Sequence, residues 1–172
     1  MPDAADIPRP SRLWKQLSPD RKQQAAIAFW QDENAANEQD EAIGLIAQRI
    51  KFRLKSVINM PVDKKAHYVV GMSAVSEILA ARLLVAYHLT YQRPMMGAFL
   101  DALGIKHEGG LIADEEMSPP ALDALKAAAG SLAASYPADD VALYLQTLMW
   151  QDPDTWGALG ELPETAALAT NH

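Results

Sequence analysis

The chain has 172 residues, 49% of them apolar, with no cysteine and a net charge of −7. The missing cysteine excludes a disulfide framework, thiolate metal sites and a Cys nucleophile, and it fits a reducing compartment. The apolar content supports a packed core, yet no stretch of eighteen apolar residues free of charge offers a membrane span.

The N-terminus, MPDAADIPRP, holds two acids and three prolines and has no apolar run, so it does not read as a secretory signal. Residues 1–10 and 160–172 lack amphipathic period and are expected to be flexible ends around one domain at 11–159. Charge is unevenly spread. Residues 9–67 carry eleven Lys/Arg against seven Asp/Glu, whereas residues 68–172 carry four against thirteen. Either end of such a polar chain can meet a partner, or both can be plain solvated faces.

Ser18-Pro19-Asp20 is helix-start chemistry: a capping hydroxyl, proline in the first turn, and an acid at the positive end of the dipole. The helix it opens runs to about Gln31 with Ala26, Ile27 and Trp30 as its apolar side. After the polar run DENAAN, a second helix is predicted near Glu38–Lys51. There Ile43, Ile46, Ala47 and Ile50 fall at i, i+3, i+4, i+7. A short helix follows over Leu54–Asn59, and Pro61 opens another that ends near Gly71. IKFRLKSV alternates like a strand, but it is short and sits between helix signals.

Residues 73–92, SAVSEILAARLLVAYHLTYQ, carry only Glu77 and Arg82 as formal charges. They predict a helix, capped by Ser73, that is apolar on most of its circumference and must be wrapped by others. Arg93-Pro94 breaks it and starts the next, with Met96, Phe99, Leu100 and Leu103 on one stripe and Gly104 as a left-handed cap. His107–Gly110 is a turn. Ser118-Pro119 starts a helix carrying Leu122, Leu125 and Leu132, which Tyr136-Pro137 ends. Asp139 and Asp140 open the last long helix, with Val141, Tyr144, Leu145 and Leu148 inward. Asp152-Pro153 caps a final turn holding Trp156. The expected fold is all-α: one irregular helical domain of about seven to nine helices around the helix at 73–92.

Four constellations are candidates for function. Residues 43–60 are spaced as a helix-turn-helix, with Ala47 and Val57 at its packing positions and Arg49, Lys51, Arg53 and Lys55 on an exposed basic edge. Against that reading, Lys51 occupies the turn position that favours glycine, and the second helix stops before Pro61. Glu77 and His88 lie three turns apart, about 16 Å along one helix face, with Tyr91 near it; they could line a groove, although a histidine on such a helix is commonly core. His67, His88 and His107 show no metal-ligand spacing, so no metal or other cofactor is expected. Met95-Met96 beside Tyr87, Tyr91 and Arg93 could form an adaptable patch or belong to the core. No P-loop, dinucleotide glycine pattern or GxSxG occurs.

From RLKSVINMPVDKK through YHLTYQRPMMGAFLDALGIKHEGGLI, over roughly residues 11–150, the chain resembles a group of uncharacterised bacterial all-helical proteins with no assigned function. The resemblance implies a bacterial, cytoplasmic protein and says nothing about a site. The functional expectation is therefore a non-enzymatic helical protein-binding or adaptor protein. Its partner would be another protein or a second copy, with no membrane involved. The basic edge 49–55 and the turns 93–96 and 106–110 are its expected contact surfaces. A nucleic-acid regulator acting through 43–60 is the alternative, and a small-molecule pocket near His88 is the next.

Overall fold

The computed structural model describes residues 8–72, 74–113 and 117–170, and among them ten α-helices account for most of the chain. In order they are α1 (Pro10–Gln16), α2 (Pro19–Gln31), α3 (Ala36–Ile50), α4 (Leu54–Ile58), α5 (Val62–Val70), α6 (Glu77–Tyr91), α7 (Arg93–Ala102), α8 (Leu122–Ser135), α9 (Ala138–Gln151) and α10 (Pro153–Trp156). Between α7 and α8 lies a hairpin of β1 (His107–Glu108) and β2 (Leu111–Ile112), antiparallel, with His107 opposite Ile112. The protein is all-α, the hairpin being the sole sheet among the described residues. No described helix is long and apolar enough to cross a membrane. The sequence reads 11–159 as one domain; the chain divides into two compact units, Pro10–Thr90 and the stretch from Tyr91 onward.

In the first unit α2 packs along α5, while α3 meets α4 and α5. Ser18 caps α2 by accepting the Arg21 N–H at 3.2 Å. Ala25, Ala26, Phe29 and Trp30 turn inward, while Ile27 is only half-buried. The Lys65 ammonium of α5 stands 4.8 Å from the centre of the Trp30 ring, a cation–π contact that ties the two helices together. Helix α1, which the sequence signals did not mark, buries Leu13 and Trp14, each worth about 1.5–3 kcal/mol when removed from water.

Helix α6 begins at Glu77 rather than at 73, and Ser73 itself lies outside the described residues. Its cap is Ser76, whose Oγ accepts the Leu79 N–H at 3.1 Å and donates to Glu41 at 3.0 Å. Glu77 takes the backbone N–H and the hydroxyl of Ser11, so its charge sits at the favourable end of the helix dipole and anchors α1. Leu79, Leu83, Leu84 and Tyr87 are buried along α6.

In the second unit Phe99 of α7 meets Tyr144 of α9 edge-on, with ring centres 5.6 Å apart, and Trp156 of α10 at 6.0 Å. Burial raises the Tyr144 phenol well above its ordinary pKa. Helix α8 starts at Leu122, after an extended Ala121, and not at Ser118-Pro119. The cause is Pro120: a residue that precedes proline is pushed out of the helical region, so the Pro119-Pro120 pair delays the first turn. The C-terminal stretch expected to fray is partly packed. Two 3₁₀ segments, Gly157–Glu161 and Pro163–Thr170, follow α10; the second packs on α9, and Leu162 and Thr165 are buried.

Candidate functional site

The most distinctive surface is the corner between α3 and α4. Helix α3 ends in Lys51, which adopts the left-handed conformation with φ 56° and ψ 37°. The N–H groups of Lys51 and Phe52 both reach back to the Ala47 carbonyl, closing the helix end. Ile46, Ala47 and Val57 are buried beneath the corner, as the helix-turn-helix spacing requires. Beyond the turn, six consecutive residues from Lys51 to Ser56 are exposed.

This run is as apolar as it is basic. Phe52, Leu54 and Ile58 are 51%, 57% and 52% exposed. Leu54 and Ile58 stand one turn apart on α4 and are both exposed, while Val57 is buried. Lys51, Arg53 and Lys55 alternate with them and form no hydrogen bond or ion pair through their side chains among the described residues. Arg49 does not join them: its guanidinium donates to the Gly71 carbonyl at the end of α5. That bond caps α5 and diverts Arg49 from the free edge assigned to it. Lys65 donates to the Ile58 carbonyl at 3.4 Å and so holds the far end of α4 while stacked on Trp30.

A second constellation lies on α7 and the hairpin. Gly104, at φ 71°, closes α7 with two return bonds, Ile105 N–H to Leu100 carbonyl at 2.9 Å and Gly104 N–H to Asp101 carbonyl at 3.1 Å. The reversal brings His107 back over α7. Its Nδ1 accepts the Gly110 N–H at 3.1 Å, which leaves the ring proton on Nε2 to donate to Asp101 Oδ1 at 2.7 Å. Both ring nitrogens are therefore engaged, and neither is placed to take a proton from a substrate. Gly97 makes room for the ring, since a Cβ there would stand 3.1 Å from it. The hairpin turns through Gly109 and Gly110, both at positive φ as a tight two-residue turn demands. Arg93 Nη1 donates to the Gly109 carbonyl at 3.3 Å. An open depression of about 550 Å³ is lined by Asp101, Gly104, Lys106, His107 and Glu108 among others.

The remaining expected site residues separate. His88 is buried at 3% exposure, edge-on to Tyr87, and so presents no surface to a groove. Glu77 is exposed and held by Ser11. Tyr91 is 42% exposed. Met95 is fully buried beside Met96, so the adaptable Met patch is core: successive residues of α7 both face inward because that helix is covered on a wide arc. Among the described residues no three His, Cys, Asp or Glu side chains gather as a metal site.

The sequence expectation for this segment names its basic positions and leaves out Phe52, Leu54 and Ile58, which are exposed beside them. The signal was the alternation of IKFRLKSV itself, which outside a sheet leaves large apolar side chains uncovered. No family model, no curated protein and no solved structure matches this chain.

Proposed function

We propose that the chain is a non-enzymatic, helical protein-binding module of the bacterial cytoplasm, with the corner at 51–58 as its contact surface. The observation that supports this reading most is the alternation of half-exposed Phe52 and Leu54 with Lys51, Arg53 and Lys55, three cations unpaired among the described residues, with exposed Ile58 one turn on. Large apolar side chains exposed close together in the chain mark an interaction site more often than singly scattered ones do. The corner is also held from both sides, by Arg49 of α3 bonded to the Gly71 carbonyl and by Lys65 of α5 bonded to the Ile58 carbonyl, so little ordering is required when a partner arrives. The test compares the full chain with a Phe52→Ser/Leu54→Ser variant as bait in a cell lysate, with and without nuclease. A defined protein that survives nuclease and is lost from the variant is the expected result, and a second copy of the chain counts as such a protein. Equal capture by both baits removes the corner from the reading.

A nucleic-acid reading keeps one observation in its favour, the left-handed Lys51 turn with Ala47 and Val57 packed beneath it. On that reading duplex binding falls steeply with salt and is lost in Arg53→Ala/Lys55→Ala. Binding of that variant at wild-type strength sinks it.

A further inference from the structure

We infer that the partner presents to this corner a short acidic segment in which carboxylates flank apolar anchors; the inference rests on the protein-binding reading above. Between Ala42 and Val62 the chain contains no acid. Glu41, at one edge of that interval, is engaged with Ser76. Asp63 bounds the other edge, and between the two acids an incoming carboxylate meets Lys51, Arg53 and Lys55. Each of the three is a donor without an acceptor from its own chain among the described residues. Along the chain these cations are interleaved with Phe52 and Leu54, and Ile58 continues the Leu54 face one turn on. A ligand that satisfies both sets of groups must itself alternate charge and apolar surface at residue spacing.

Charge balance selects a segment over an extended polyanion. Residues 68–172 carry thirteen acids against four Lys/Arg. With a net charge of −7 the whole molecule repels an extended polyanion such as a duplex or an anionic membrane surface at long range, whereas a segment of a few residues carries far less charge to be repelled. The exposed α4 side chains argue in the same direction. Leu54 and Ile58 have no donor or acceptor for a base edge, while both can fill apolar positions of a peptide.

The experiment places the photoreactive analogue benzoylphenylalanine at position 52 of the full chain, in the cells that make the protein, and sequences the cross-linked segment by mass spectrometry. The expected adduct is one protein segment rich in Asp and Glu with apolar residues at the link. Introducing Arg53→Glu/Lys55→Glu alongside it should lower the yield about tenfold or more, because like charges across an interface are strongly unfavourable. These positions are exposed, and an unchanged helical circular-dichroism signal shows that the fold is intact. A neutral or basic segment, or a yield indifferent to charge reversal, overturns the acidic partner and leaves the protein-binding reading standing. Adducts with lipid or nucleic acid alone, or no adduct, overturn both.

Discussion

The ends of α3 and α7 are built on the same backbone device and put to opposite use. Each helix closes on a left-handed residue whose neighbours return N–H groups to the last turn: Lys51 after α3, Gly104 after α7. At Gly104 the conformation is free of steric penalty, and the chain beyond it folds back so that His107 lies over α7 and Gly110 is buried against it. At Lys51 the same conformation costs about 1–2 kcal/mol in Cβ crowding, and the five residues beyond it stay exposed. One turn seals a helix end; the other holds a surface open. A strained non-glycine turn followed by uncovered apolar groups contributes little to folding, which is the cost that the proposed contact surface would have to offset.

The contrast can be broken most severely at Gly110. A Cβ there would stand 2.6 Å from Met96 Cβ and 3.3 Å from the Arg93 carbonyl, at φ 91°. Gly110→Ala should lose about 2–4 kcal/mol of stability from overpacking and left-handed strain together, read by denaturant unfolding. His107→Ala comes next. It leaves the buried Gly110 N–H without its acceptor and should lose about 1–2 kcal/mol, whereas retention of wild-type stability would mean the clasp is ornamental. The smallest effects form a pair of opposite sign. Gly104→Ala, with no atom within 4 Å of the new Cβ, should lose about 1 kcal/mol from strain alone. Lys51→Gly should gain somewhat less than that, since the relief of strain is partly offset by a freer unfolded chain. Two shifts of the same sign would end the comparison.

Helix ends written in local chemistry were legible. Ser18-Pro19, Gly104, Tyr136 and Asp152-Pro153 stand at the boundaries their backbone preferences specify, and Pro94 lies in the first turn of α7. Legibility failed where distant residues decide. Ser76 rather than Ser73 marks the start of α6, and its hydroxyl is bound to Glu41, 35 residues earlier. Helix α1 draws on the burial of Leu13 and Trp14, and seven residues give too few turns for a period to be visible. Of the surface, the basic positions were readable from charge alone, but Arg49 could be removed from the set only by its bond to Gly71. The His107–Asp101 pair is six residues apart and meets only because Gly104 reverses the chain, a spacing no helical period would suggest.

The open corner has a consequence for the lifetime of the chain. Between Lys51 and Arg53 the backbone is outside any helix and every residue is exposed, and Lys55 follows two positions on. To a trypsin-like protease this is a ready recognition sequence at an accessible turn, and it should receive the first cut. A partner seated on Phe52 and Leu54 would cover those same bonds, so the unbound chain would be the one that is cleared.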